Sequence, residues 1–106
     1  MFNLFQAIPS ISTAELAEKL KEKPTILDVR TPSEYQSGHI PGAKNHPLDK
    51  INSYRQKNTE TVYVICQSGM RSKQAARALK KQGYEVVNVA GGMNRWTNST
   101  RKGKYA

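Results

Sequence analysis

The sequence predicts an α/β domain, a small open, mainly parallel sheet of four or five strands with helices on both faces. Three observations carry this. Short apolar, partly β-branched runs at residues 25–29, 61–65 and 85–89 read as buried strands. Stretches with helical start signals or helical periodicity separate them. Glycine and proline punctuate the connections.

Taken in order, residues 12–20 read as a helix. Ser12 is a cap candidate with Glu15 three residues later, and Thr13, Leu16, Ala17 and Leu20 share one helical face. Pro24 prevents that helix from continuing. After the strand at 25–29, Thr31 is a second cap candidate, Pro32 suits the first helical position, Glu34 completes the capping box, and Gly38 ends a helix of about one and a half turns. Residues 38–43, Gly-His-Ile-Pro-Gly-Ala, form a rigid turn that delivers the chain to a short strand at 43–46. A brief helix is expected within 48–54 and a polar connection at 55–60. The strand at 61–65 runs directly into Cys66. Ser72, Ala75, Ala76 and Leu79 then repeat at helical spacing, with Lys73, Arg77, Lys80 and Lys81 largely on the opposite side, and Gly83 suits a left-handed helix end. The strand at 85–89 is followed by Ala90-Gly91-Gly92 and a short helix containing Met93 and Trp96. There are no internal repeats.

A chain of 106 residues fits one domain and is long enough to bury about two thirds of its extended surface. The expected organisation is an N-terminal extension at 1–10, a domain at 11–98 and a basic C-terminal tail at 99–106 containing Arg101, Lys102 and Lys104. The start lacks a secretory signal and the apolar runs are strand-sized, so a cytoplasmic protein without stable membrane insertion is expected. Phe2, Leu4, Phe5 and Ile8 either pack on the domain or mark a docking site.

The formal charge of +9 is unevenly placed: residues 1–53 hold six basic and six acidic side chains, residues 54–106 eleven basic and two acidic. A basic half attracts anions. No stacking aromatics flanked by arginine, zinc finger or helix-turn-helix pattern is present, so no nucleic acid is expected; the charge reads first as a soluble basic surface, and after that as a means of attracting small anionic substrates or an acidic protein partner. The single cysteine rules out an internal disulfide and a cysteine-rich zinc site. Cys66 is therefore a buried small hydrophobe or a working thiol.

In a parallel sheet, ligands bind at the carboxyl ends of strands, where Asp28, Cys66 and Ala90 all fall. Between the strand and the helix stands Cys66-Gln67-Ser68-Gly69-Met70-Arg71-Ser72. Unpaired amide groups of the loop and first helical turn, the helix dipole and Arg71 all favour loss of the thiol proton. Gly69 lets the backbone turn inward, and Ser68 and Ser72 add hydrogen-bonding hydroxyls. A thiolate ringed by donors suits two chemistries: phosphoryl transfer through a cysteinyl phosphate, and sulfur transfer through a cysteine persulfide.

Asp28-Val29-Arg30, Glu34-Tyr35, the 38–43 turn, the 66–72 loop, Gly83-Tyr84 through Val89, Gly91-Gly92 and Trp96 together resemble a single-domain rhodanese of the thiosulfate sulfurtransferase-like superfamily. The resemblance covers roughly 11–98. Related phosphatase-type enzymes place five residues between cysteine and arginine; here Arg71 follows Cys66 after four, the shorter, sulfur-handling form. The resemblance implies that Cys66 takes a sulfane sulfur from a small anionic donor such as thiosulfate, or from a persulfide. The sulfur then passes to cyanide in assays, or to an external thiol acceptor or sulfur-carrier protein. In this reading Cys66 is the nucleophile, and amides of Gln67 to Ser72 hold the persulfide anion. Arg71 either steers an anionic donor or shapes the loop. Asp28, Arg30, Glu34 and His39 are supporting residues: Asp28 is expected to bond to the 39–42 turn, Arg30 to pair with Glu34, and His39 to serve the scaffold. His46 is too isolated for a metal site, and Trp96 is expected in the core. No cofactor is implied, and the oligomeric state is left open. The alternatives are a catalytically silent rhodanese-like protein-binding module and, behind it, a small cysteine phosphatase.

Overall fold

The computed structural model describes residues 8–57 and 60–106. Among these residues five strands form one sheet: β1 (Ser10–Ile11), β2 (Thr25–Asp28), β3 (Lys44–Asn45), β4 (Val62–Ile65) and β5 (Val86–Val89). Their order is β1-β5-β4-β2-β3, with every pairing parallel. The helices are α1 (Thr13–Lys19), α2 (Pro32–Ser37) and α3 (Met70–Lys81), with short 3-10 helices at Leu20–Glu22, Leu48–Ser53 and Gly92–Arg95. Among the described residues no helix is long and apolar enough to cross a membrane.

The two predicted capping boxes are present: Ser12 with Glu15 opens α1, and Thr31 with Glu34 opens α2 behind Pro32. Each such cap is worth about 1 kcal/mol. They matter here because α1 and α2 have only 7 and 6 residues, too few to be stable from propensity alone.

Strand alternation divides the core into two layers. Leu27, Val29, Val62, Val64, Cys66 and Val86 point to one face, where they meet Ala75, Ala76 and Leu79 of α3 together with Ile51, Tyr54 and Tyr84. Ile26, Ile65 and Val89 point to the other, where they meet Leu16 of α1, Ile40, Ala43 and Trp96. The small-residue stripe of α3 lets the helix lie close on the sheet. The same period-two alternation that buries Val62 and Val64 delivers Cys66 to the α3 side.

β2 and β4 are adjacent, with Asp28 opposite Ile65. The chain leaves β2 towards β3 and leaves β4 towards β5, so the two connections diverge and open a crevice beyond Asp28 and Ile65.

Two boundaries differ from the sequence reading. Ser10, placed there in an extension, is a residue of β1: Asn88 donates its amide to the Pro9 carbonyl at 2.8 Å and Ala90 to that of Ile11 at 2.8 Å. A two-residue edge strand carries no readable periodicity. The basic tail at 99–106 is tied to the domain. Arg101 exchanges backbone hydrogen bonds with His39 at 2.8 and 3.0 Å, and Gly103 donates to the Gln36 carbonyl at 2.9 Å. Ile8 packs against the α3-side layer; Phe2, Leu4 and Phe5 lie outside the described residues.

Candidate active site

Cys66 follows the last residue of β4, and α3 begins four residues later. Gly69 occupies the N-cap of α3 with φ +106°, a conformation open to glycine, and a Cβ there would come within 3.3 Å of the Gly91 amide. This bend turns the Gly69 N–H back onto Cys66 Sγ, at 3.0 Å. Ser72, in the first turn of α3, lies with Oγ 3.4 Å from Sγ. The sulfur is buried, with 0% exposure. Burial alone pushes the thiol up, but the Ser72 side chain and the amides of Ser72, Gly69 and Ser68 outweigh it and hold the thiol below its ordinary 9.0.

A second glycine fixes the other side of the loop. Gly92, at φ +58°, lies so close beneath that a Cβ would stand 2.3 Å from the Cys66 carbonyl oxygen and 2.7 Å from that of Gln67. This approach lets Met93 donate its amide to the Cys66 carbonyl at 2.8 Å and Asn94 to the Gln67 carbonyl at 2.9 Å. With both carbonyls bound from below, the loop amides are left to face the sulfur.

Gln67 clamps the loop in both directions. Its Oε1 accepts from Arg30 Nη1 at 3.1 Å, and its Nε2 donates to Asn94 Oδ1 at 2.8 Å. Ser68 and Met70 lie at the surface, Met70 being 72% exposed.

Three of the supporting residues, Asp28, Arg30 and Glu34, are partnered differently from the sequence expectation. Asp28 does not bond to the 39–42 turn in the way predicted: its carboxylate takes the Arg30 guanidinium through Nε at 3.0 Å and Nη2 at 2.7 Å, and the Arg30 amide at 3.1 Å. A fully buried carboxylate needs a charge partner close by, and Arg30 two residues away meets that need. Arg30 Nη2 also donates to the Gly38 carbonyl at 2.8 Å, tying the end of β2 to the end of α2. The expected Arg30–Glu34 pair is therefore not made.

Glu34 instead pairs with Arg71, 37 positions along the chain. Arg71 Nη1 and Nη2 donate to Oε1 and Oε2 at 2.8 and 2.9 Å. Glu34 Oε1 also accepts the Thr31 amide at 3.0 Å. The Arg71 hydrogen bonds, aided by those from Thr31 and opposed by burial, hold the Glu34 carboxyl down to about 2.

His39 is not among the hydrogen-bond partners of the sulfur. Its ring stacks on Tyr35 at 3.7 Å, with Nδ1 2.9 Å from the Tyr35 carbonyl and Nε2 2.8 Å from that of Tyr105. His46 Nε2 bonds to the Lys50 carbonyl, and Trp96 closes the α1-side layer. Among the described residues no group of three or more His, Cys, Asp or Glu side chains is placed to hold a metal ion.

Sequence reasoning missed Asn88 and Asn94. Asn88 is buried at 1% exposure on the α3 face of β5. Ser72 Oγ is hydrogen-bonded to its Oδ1, while its Nδ2 finds no partner among the described residues. The available signal was a lone amide interrupting the apolar run Val86-Val87-Asn88-Val89.

A buried thiol lowered towards ionisation, faced by amide donors at a helix start, is equipped to attack an electrophilic atom and hold the anion formed. The family model described as the rhodanese-like domain matches residues 12–99. Over 99 residues the chain is 42% identical to YrkF of Bacillus subtilis (strain 168), whose name contains the words sulfur carrier protein; the match covers 89% of this chain and 54% of that one. The chain thus spans about half the length of that relative. It is 36% identical over 94 residues to the thiosulfate sulfurtransferase GlpE of Pseudoalteromonas translucida (strain TAC 125), covering 85% of this chain and 90% of that one. Among solved structures, a rhodanese-like domain protein from Staphylococcus aureus superposes with a TM-score of 0.81 at 38% identity, covering 91% of this chain and 99% of that one.

Proposed function

Because the chain belongs to the rhodanese-like domain family, we propose that it is a sulfurtransferase whose Cys66 thiolate carries a sulfane sulfur between an external donor and an external acceptor. In the first step Cys66 Sγ attacks the outer sulfur of thiosulfate or of a persulfide. The new S–S bond forms as the donor's S–S bond breaks, and sulfite or a thiolate leaves with the electron pair. In the second step cyanide or an acceptor thiolate takes the outer sulfur and returns Cys66 to its thiolate. Since Cys66 is the single cysteine of these 106 residues, the acceptor thiol lies outside them.

The observation that carries this reading is the Gly69 amide 3.0 Å from Cys66 Sγ, with Ser68 and Ser72 amides acting on the same atom. These groups do not need to reorganise as charge develops on sulfur, so they favour both the attacking thiolate and the persulfide anion that replaces it. The sulfur-transfer names of the relatives support the same chemistry.

Intact-mass spectrometry tests it. Incubation with thiosulfate or a low-molecular-weight persulfide adds one sulfur, about 32 Da, removable by cyanide or dithiothreitol, and Cys66→Ser takes up none. Equal labelling of the serine variant defeats the assignment.

A further inference from the structure

An arginine beside a reactive thiol is the natural receptor for a dianionic donor, since its fork of N–H groups fits oxyanions. Here both terminal nitrogens of Arg71 are already engaged, in parallel, by Glu34 at 2.8 and 2.9 Å. The carboxylate is itself fixed by the Thr31 amide and hydroxyl at 3.0 and 3.1 Å, as part of the capping box of α2. The pair sits at the surface, with each side chain about one third exposed. It is electrically neutral as a unit, and it persists through the physiological range because the Glu34 carboxyl is held at about 2. The residue next to it, Met70, presents an apolar side chain that is 72% exposed. Arg71 thus reaches the surface near Cys66, whose charge it feels, as half of a neutral ion pair next to an exposed thioether, although its own half of the chain is strongly basic.

Resting on the sulfur-transfer reading above, we propose that Glu34 determines donor specificity. By occupying Arg71 it withholds that guanidinium from thiosulfate, so the site favours persulfides whose carrier adds no negative charge of its own. The loading step is then Cys66-S⁻ + RS–SH → Cys66-S–SH + RS⁻, in which the Sγ–S bond forms, the RS–S bond breaks and RS⁻ leaves with the electron pair. The proton remains on the transferred sulfur until it passes to solvent. No oxidant is required. Glu34 touches neither donor nor reacting sulfur and acts through Arg71, as a positioning residue.

The test compares the full chain with E34Q, which removes the charge and keeps an amide able to complete the capping box. Rapid-quench intact-mass measurement gives the rate of sulfur loading against concentration for thiosulfate and for 2-mercaptoethanol persulfide. In E34Q the thiosulfate rate constant at low concentration is expected to rise about three- to tenfold, through a lower half-saturating concentration, and to fall more steeply with salt. The 2-mercaptoethanol persulfide, at most singly charged where thiosulfate is a dianion, is expected to change by less than about twofold. Should E34Q not fold, E34D, with the charge on a shorter arm, is expected to move the donor ratio in the same direction. An unchanged ratio, or equal losses for both donors, overturns the specificity role while leaving sulfur transfer intact. A wild-type chain that loads from neither donor overturns the sulfur-transfer reading and this proposal together.

Discussion

Asn88 holds the hydroxyl of Ser72, whose oxygen lies 3.4 Å from Cys66 Sγ. A serine hydroxyl has one proton, and here Asn88 Oδ1 and the Gly69 carbonyl both compete for it. In the thiol form Cys66 donates to Ser72; once ionised, the sulfur needs that hydroxyl to turn and donate back.

The first prediction follows from this competition. The pH dependence of iodoacetamide alkylation should give a midpoint for Cys66 below 9.0. Because ionisation is helped by Ser72, S72A should raise the midpoint. N88A, by releasing the Ser72 hydroxyl to the sulfur, should lower it. Movement of both variants in one direction would refute the competition. The absolute rate should be well below that of a free thiol with the same midpoint, since the sulfur is buried.

Glu34 predicts a defined acid response. Its carboxyl is held from 4.5 down to about 2, chiefly by Arg71, so the folded state binds the proton less readily than the unfolded chain. The stabilisation is therefore present above pH 4.5 and is lost as pH falls through the range down to about 2. Thermal melts of the wild type and E34Q should differ most above pH 4.5 and converge towards pH 2. A gap that is constant across this window would show that the ion pair contributes nothing to it.

Gly92 predicts a local failure of the loop. In G92A the new methyl meets the Cys66 and Gln67 carbonyls, which belong to backbone and cannot swing aside. The expected cost is about 2 kcal/mol or more, a drop in Tm of roughly 10 °C. The amide of Met93 should lose hydrogen-exchange protection, because its bond to the Cys66 carbonyl is the contact displaced. A variant that melts like the wild type would mean that the close approach is dispensable.

His39 predicts a separation of stability from chemistry. H39A removes the stack on Tyr35 and the contact to the Tyr105 carbonyl, so a loss of about 2–4 kcal/mol is expected in denaturant unfolding. The Cys66 alkylation midpoint should stay where it is. A shifted midpoint with unchanged stability would place His39 in the chemistry and not in the scaffold.

Much of the fold was legible because its signals are local. The Ser12–Glu15 and Thr31–Glu34 boxes set the starts of α1 and α2, Pro24 and Gly38 mark where helices end, and Ser72, Ala75, Ala76 and Leu79 are the four buried residues of α3. The Cys66–Ser72 loop was legible for the same reason: a strand running into a glycine-containing turn and then a helix aims amides at one atom. Strand β1 was not, since two residues define no period and only β5 makes them a strand.

By itself, then, the sequence determined the succession of elements after β1, which side chains of α3 face the core and which sulfur stands at a helix start. These depend on bonds and spacings among neighbours within a few residues. Only the tertiary structure decided the distant partners of the charged and polar groups: Arg71 and not Arg30 for Glu34, Asn88 for Ser72, and His39 for the residues after 99. Several such pairings have similar intrinsic energies. The choice among them is made by packed layers that bring positions tens of residues apart within 3 Å and leave the nearer candidates facing elsewhere.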